Sequence, residues 1–198
     1  QPRRLNRQVE RGPRALEVAL VQAARRHVGR THLEEHFAHA TTRGALAYLE
    51  RAISGGERVL DVGTGSGILA IGAVRLGAAY VAAVENDPDA MDNCRENLER
   101  NGVLERIGLE RASVDGAWLE VQEGGFDVIA ANVLSGVLHP LLPHFAAALR
   151  PGGRVILGGI LDHEAAAMKE AAAAAGLSLA DEVVEGEWWT CLLEGPRG

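Results

Sequence analysis

Hydrophobic positions along the chain fall into short continuous runs, separated by segments in which apolar residues recur every three or four positions. The short runs are typical of strands covered on both faces, and the longer spacing is typical of helices that bury one side. The pattern predicts strands at residues 58–62, 80–84, 107–111, 126–131, 154–157, 177–184 and 188–193. It predicts helices at residues 14–28, 42–53, 68–77, 89–100, 137–149 and 165–175, with residues 1–13 as a tail.

The order of these segments predicts an α/β fold. Strands that alternate with helices form a mostly parallel sheet with helices on both faces. The two closing segments are spaced as a hairpin, so we expect a seven-stranded sheet with an antiparallel C-terminal edge strand. We divide the chain into a basic tail and helix at residues 1–35 and one folded domain at residues 36–198. Ligands of such sheets bind beyond the carboxyl ends of the strands, where we expect the functional residues.

Composition narrows the class of protein without naming a function. Of the 198 residues, 47% are hydrophobic and 24% are charged, which is enough apolar sequence for a buried core. The chain has no apolar run of the length of a membrane span and no signal-like start, so we expect a cytoplasmic protein without membrane contact. Cys94 and Cys191 fit no metal-ligand spacing, and we predict no metal site.

Charge is distributed unevenly along the chain. The net charge is −7, yet residues 1–30 hold eight arginines against two glutamates. The acidic remainder disfavours general binding of nucleic acid, because phosphates attract basic surfaces. We interpret the basic start as a solvated segment, with contact to RNA or to an acidic partner as the alternative.

The most specific motif is the sequence DVGTGSG at residues 61–67, between the first predicted strand and the helix that follows it. Its three glycines allow a tight turn and a close approach of a ligand to backbone amides. The third glycine comes one residue earlier than in the dinucleotide motif G-x-G-x-x-G, whose helix N-terminus holds a pyrophosphate. The spacing therefore favours S-adenosylmethionine, which has no phosphate and whose amino-acid end would meet backbone groups and a carboxylate near Asp61.

Two further polar positions follow predicted strands. Glu85 ends the second strand, where its carboxylate can accept hydrogen bonds from both ribose hydroxyl groups of an adenosine, and Asn86 can flank the adenine. Asn132 follows the fourth strand, where its amide can accept a hydrogen bond from an amine and orient that amine beside the transferable methyl group. The alternative for Asn132 is that it caps the helix predicted to begin at Val137.

Four stretches of the sequence resemble the PrmA-type methyltransferases, which methylate amino groups of the large-subunit ribosomal protein L11. They are VLDVGTGSGILAIGAVRLGA, VENDPDAMDNCRENLERNGV, FDVIAANVLSGVLHPLLPHFAAALRPGGRVILGGIL and EGEWWTCLLEG, and the likeness runs from residue 39 to residue 193. The glycine loop is common to class I methyltransferases, whereas NVL, GGIL and EGEW are more particular to this family. The resemblance implies a Rossmann-like class I methyltransferase fold, S-adenosylmethionine as cofactor and a ribosomal protein as methyl acceptor.

Resemblance and residue pattern together give one set of expected contacts. Cofactor contacts are expected from Thr42, Asp61, Gly63, Thr64, Gly65, Gly67, Glu85, Asn86, Ser113 and Asn132. Asn132 is also the expected catalytic residue, through the acceptor amine. Methyl transfer from a sulfonium is an in-line displacement, so the protein mainly has to position donor and acceptor, and no general base is predicted.

The chain departs from the family pattern in two places. Residues 37–42 read FAHATT, without the Gly-Thr-Gly loop that the family carries between the phenylalanine and the histidine. The family also has an N-terminal domain that grips the ribosomal protein, and the 36 residues before Phe37 are too few to form it. We expect either a catalytic domain separated from that recognition domain or a relative that methylates a small molecule. A nonenzymatic cofactor-binding module is the third alternative.

Overall fold

The centre of the protein is a sheet in which the first five strands run parallel to one another. The computed structural model describes residues 40–122 and 125–196, so the tail, the helix at 14–28 and the domain boundary at residue 36 lie outside the described residues. The strands are β1 (Arg58–Val62), β2 (Tyr80–Glu85), β3 (Ile107–Arg111), β4 (Phe126–Asn132), β5 (Leu149–Leu161), β6 (Ser178–Glu185) and β7 (Trp188–Glu194). They form one seven-stranded sheet in the order β3-β2-β1-β4-β5-β7-β6.

Helices cover both faces of the sheet, as predicted. They are α1 (Ala40–Ala52), α2 (Ile68–Leu76), α3 (Pro88–Arg100), α4 (Gly116–Glu120), α5 (Ser135–Ala148) and α6 (Ala165–Ala174). Buried side chains of α1, α2 and α3 form one hydrophobic cluster with one face of the strands. Buried side chains of α4, α5 and α6 form a second cluster with the other face. Because β1, β2 and β4 lie between two apolar layers, their sequences are nearly continuous apolar runs.

The two closing strands confirm the predicted antiparallel pair and add a detail of order. β7 runs antiparallel to both β5 and β6 and lies between them, so β6 forms the edge of the sheet. Five consecutive residues of β7, Trp189 to Leu193, are buried, whereas most of β6 is exposed. The more apolar of the two segments therefore takes the interior position.

Helix α4 and strand β5 differ most from the sequence expectation. Helix α4 was not predicted, because five residues are too few to display helical periodicity. Its start is set by Asp115, whose side chain accepts a hydrogen bond from Trp118 N at 2.8 Å. Strand β5 was predicted at 154–157 and is longer at both ends. Its early residue Leu149 pairs with Phe126 before a register shift, and its late residue Leu161 pairs with β7.

Helix α1 begins two residues before its predicted start and lies directly against β7. A Cβ atom on Gly44 would lie 2.8 Å from Thr190 Oγ1, so only glycine permits this distance between helix and strand. Arg43 and Arg51 of α1 form ion pairs with Glu185 and Asp181 of β6, respectively. These contacts fix the helix that carries the predicted threonine at its amino-terminal end. Within residues 40–122 and 125–196, no helix has the length and apolar character needed to cross a membrane.

Candidate cofactor and acceptor site

Three of the predicted polar side chains meet at the carboxyl edge of the sheet. Asp61 lies in β1, Glu85 ends β2 and Asn132 ends β4. Strand β1 lies between β2 and β4, and Asp61 is in register with Ala83 on one side and Ala130 on the other. The carboxyl ends of these parallel strands therefore bring the three residues to one place, where ligands of such sheets bind.

The loop from β1 to α2 requires glycine at three positions. Gly63, Gly65 and Gly67 have φ angles of 65°, 54° and 82°, in the left-handed region that residues with a Cβ rarely adopt. A Cβ on Gly63 would lie 2.6 Å from Val133 Cγ1, and one on Gly67 would lie 2.9 Å from Cys94 Sγ. Conformation and close packing together fix the path of this loop between the strand ends.

Asp61 braces the loop from inside the protein. Its buried Oδ2 accepts hydrogen bonds from Thr64 Oγ1 at 2.6 Å and from Ala70 N, in the first turn of α2, at 3.0 Å. Burial raises the pKa of Asp61 to about 6 against the lowering effect of these two bonds, and the Glu85 carboxylate raises it further. The side chains of Asp61 and Thr64 thus hold the loop, and a direct contact of Asp61 with the ligand stays a prediction.

Glu85 ties the same loop to the end of β2. Its Oε2 accepts a hydrogen bond from Gly65 N at 3.0 Å. Its Oε1 accepts from Asn86 N at 2.8 Å and from Asp87 N at 3.0 Å. A carboxylate has about four acceptor positions, so these three bonds leave about one for a further donor. Two bonds to a ribose would therefore require the side chain to release one of its backbone amides.

Asn86 and Ser113 lie on the exposed rim beside Glu85. Ser113 follows β3 by two residues, and Ala112 N donates a hydrogen bond of 3.1 Å to Glu85 O. The segments that carry Asn86 and Ser113 therefore continue from adjacent, hydrogen-bonded strand ends. This position is compatible with the cofactor contacts predicted for both residues.

Asn132 differs from the other site residues in its hydrogen bonding. Its Nδ2 donates to Thr42 Oγ1 at 3.4 Å, a long hydrogen bond. Its Oδ1 is buried and has no hydrogen-bond partner among the described residues. Buried amide oxygens nearly always have partners, so this atom marks a position that an N–H donor of a ligand can take. The alternative of a helix cap is wrong, because Leu134 is the N-cap of α5.

Asn97, which the sequence analysis did not single out, and Gly158, the first residue of the GGIL motif, support the site. Asn97 on α3 is buried, and its Nδ2 donates to Ser66 O of the glycine loop at 2.9 Å. A Cβ on Gly158 would lie 2.7 Å from Asn132 Oδ1, and β5 thus passes very close to the end of β4. Both features have a sequence signal. A polar residue on the apolar face of a helix indicates a buried hydrogen bond, and glycine within a strand indicates a close approach.

Comparison with known proteins gives one consistent family. The family model described as ribosomal protein L11 methyltransferase (PrmA) matches residues 38–195. A protein of Chloroflexus aurantiacus named ribosomal protein L11 methyltransferase is 42% identical over an alignment of 179 residues, and the match covers 80% of this chain and 55% of that protein. A solved structure described as ribosomal protein L11 methylase from Lactobacillus delbrueckii has a TM-score of 0.74 and 34% identity, and the match covers 80% of each chain.

A second solved structure, described as a methyltransferase from Pyrococcus furiosus, has a TM-score of 0.67 and 26% identity over 80% of this chain and 84% of that one. These structures confirm the predicted methyltransferase fold. The chain spans about half the length of the curated relatives it matches, with 55%, 40% and 47% of three of them covered.

Proposed function

The chain belongs to the PrmA family of ribosomal protein L11 methyltransferases, and from that membership we propose that it binds S-adenosylmethionine and transfers methyl groups to amino groups of ribosomal protein L11. The observation that carries the acceptor side of this proposal is the buried Asn132 Oδ1, which lacks a hydrogen-bond partner among the described residues. An amine carries the N–H donor that this atom needs.

The residues of the site fit the cofactor. The glycine loop gives a close approach to the backbone, and its left-handed residues have no Cβ that would stand in the way. Glu85, at the end of β2, retains about one acceptor position for a ribose hydroxyl group. Thr42 accepts a hydrogen bond from Asn132, and we expect it to contact the methionine end of the cofactor. S-adenosylmethionine would supply a methyl group already activated on a sulfonium.

The residues of the chain then have one main task, which is to hold the acceptor nitrogen in line. A lysine amine has a reference pKa of about 10.4, so its neutral form costs roughly 4–5 kcal/mol at pH 7. A site that excludes water reduces this cost because it disfavours the ammonium form. Asn132 Oδ1 would accept an N–H of the neutral amine and leave the nitrogen lone pair directed at the methyl group. The amide of Asn132 would orient the amine in this way without removing a proton from it.

Cofactor binding is the first test of the proposal. In titration calorimetry we expect S-adenosylhomocysteine to bind and NAD not to bind. Glu85→Gln keeps the shape of the side chain but replaces one acceptor oxygen by a donor, and hydrogen bonds to charged groups contribute about 1.5–3 kcal/mol each. Affinity should therefore fall at least about tenfold, with Glu110→Gln as an exposed control. Binding of NAD but not of S-adenosylhomocysteine would refute the cofactor proposal.

Methyl transfer is the second test. Labelled S-adenosylmethionine is incubated with L11 and with either the 198-residue chain or a fusion of this chain to the N-terminal domain of a relative. The added domain would supply docking surface that holds the acceptor amine more firmly, so we expect poor labelling by the chain alone and efficient labelling by the fusion. Efficient labelling by the chain alone would show that recognition lies within it. Labelling of small molecules but not of L11 would favour the alternative of a small-molecule methyltransferase.

A further inference from the structure

A hydrogen bond outside the predicted set joins the start of α5 to the turn after β5. Ser135 Oγ donates to Glu164 Oε1 at 2.6 Å. Glu164 ends the short 3-10 helix Asp162–Glu164, and its other oxygen, Oε2, accepts from Leu161 N at 3.1 Å. The carboxylate accepts this bond, and the Ser135 hydroxyl is the largest of the influences that lower the pKa of Glu164.

The Ser135–Glu164 hydrogen bond anchors one end of the four-residue segment 132–135, which we call the acceptor segment. The other end of this segment is Asn132. Its middle is pressed against β5, because a Cβ on Gly159 would lie 2.7 Å from Val133 O. Leu134, the N-cap of α5, makes no side-chain capping bond. The hydroxyl of Ser135 thus supplies a side-chain hydrogen bond at the start of α5, where Leu134 makes none.

We propose that the Ser135–Glu164 hydrogen bond positions the amide of Asn132, so that Glu164 acts on the acceptor side of the site through Ser135. The inference rests on the proposed function for its consequence in methyl transfer, but the positioning itself is a property of this chain. Segment 132–135 turns from a strand directly into a helix, with both ends anchored to β5 or to the turn that follows it. Release of one anchor gives the side chain of Asn132 a range of positions.

The geometry also distinguishes this role from simple capping of the 3-10 helix. Capping requires only the bond from Leu161 N to Glu164, which does not involve Ser135. Removal of the Ser135 hydroxyl therefore leaves the turn after β5 capped while it frees the acceptor segment. Ser135→Ala is the sharper variant for this reason, and Ser135→Thr is the matched control that keeps a hydroxyl at the same position.

The test reads the side-chain amide of Asn132 directly by 15N-edited nuclear magnetic resonance, with the signal assigned by its loss in Asn132→Ala. We expect this signal to shift or broaden in Ser135→Ala and in Glu164→Ala, and to return toward its original position in Ser135→Thr. Arg100→Ala, which removes a distant surface ion pair with Glu96, should leave it unchanged. An Asn132 signal in Ser135→Ala identical to that of the unaltered chain would overturn the proposal.

Kinetics of the fusion protein give the second measurement. A displaced acceptor amide should lower kcat about tenfold or more, since small misplacements of reacting groups are costly, while the affinity for S-adenosylhomocysteine changes less than about twofold. Equal losses in kcat and in cofactor affinity would instead indicate a general structural role and would contradict the proposal. If the unaltered chain failed to bind S-adenosylhomocysteine, the proposed function would fail, yet the resonance comparison would still decide the positioning inference.

Discussion

The cofactor side of the site and its acceptor side are stabilised in different ways. On the cofactor side, the carboxylates of Asp61 and Glu85 together accept five hydrogen bonds from the glycine loop, the first turn of α2 and the residues that follow β2. On the acceptor side, the side chain of Asn132 makes one long hydrogen bond through Nδ2, and its Oδ1 has no partner among the described residues. Leu134, two residues on, is 70% exposed.

The difference indicates how the two halves meet their ligands. The cofactor side has a backbone that its own side chains already hold in place, so little ordering is required when a ligand binds. The acceptor side is held mainly by close packing between β4 and β5. The side-chain oxygen of Asn132 therefore remains available to accept a hydrogen bond from the substrate. Changes on the two sides should therefore have different effects on stability and on activity.

The largest expected effect on the free energy of unfolding comes from a variant that disrupts the packing of the acceptor side. Gly159 and Gly152 share a φ of 75°, but a Cβ on Gly159 would lie 2.7 Å from Val133 O, whereas one on Gly152 would meet nothing within 4 Å. The left-handed conformation costs about 1–2 kcal/mol in both alanine variants. Gly159→Ala should lower the free energy of unfolding by roughly a further 1–3 kcal/mol, because the opposing atom belongs to the backbone and cannot move aside. Urea unfolding of the two variants measures this difference, and equal losses would contradict the packing account.

A smaller effect concerns the buried carboxylate of the cofactor side. The pKa of Asp61 is about 6 in the folded protein, above the value of about 3.9 in an unfolded chain. The folded state therefore binds the proton more tightly, and this contribution to stability is present at low pH and is lost as the pH rises through 6. Between pH 5 and pH 7.5 it amounts to about 1.4 kcal/mol.

Asp61→Asn should remove that pH dependence, since its amide oxygen can still accept from Thr64 and Ala70 but carries no charge. The measurement is the free energy of unfolding at pH 5 and at pH 7.5, compared with that of the unaltered chain. The exposed Asp92 provides a control, and Asp92→Asn should leave the difference between the two pH values intact. The account is wrong if Asp61→Asn keeps the full difference.

The smallest effect on stability is expected at the residue that matters most for the acceptor. Asn132→Ala removes one hydrogen bond of 3.4 Å together with an oxygen that has no described partner, so the free energy of unfolding should change by less than about 0.5 kcal/mol. Asn97→Ala is the matched asparagine control. It leaves Ser66 O without its 2.9 Å donor and should cost about 1–3 kcal/mol. Methyl transfer should nevertheless fall further in Asn132→Ala.

The sequence predicts the fold well where local pattern and final burial agree. Strands β1 and β3 occupy the predicted residues because each is a short run of strand-forming residues between clear breaks. The pattern fails where tertiary contacts decide the structure. Helix α4 depends on one capping side chain, and β5 extends through Pro151 and two glycines back to Leu149, which pairs with Phe126 of β4.

In the site, too, some features follow from the sequence pattern and others depend on tertiary contacts. Asp61, Glu85 and Asn132 could be placed together because the carboxyl ends of adjacent parallel strands meet, which follows from topology alone. The hydrogen bonds that support the neighbouring segments could not be predicted, because Asn97 lies 31 residues from Ser66 and Glu164 lies 29 residues from Ser135. The brace role of Asp61 also depends on its burial, which a motif does not specify.

The interior position of β7 has a consequence for the synthesis of the protein. A chain leaves the ribosome from its amino-terminal end, so β6 emerges before the strand that is its neighbour in the sheet. Until residues 188–194 follow, β5 and β6 both offer unpaired backbone groups, and such edges associate readily with other chains. Synthesis of β7 therefore converts β5 from an edge strand into an interior strand and leaves β3 and β6 as the two edges of the described sheet.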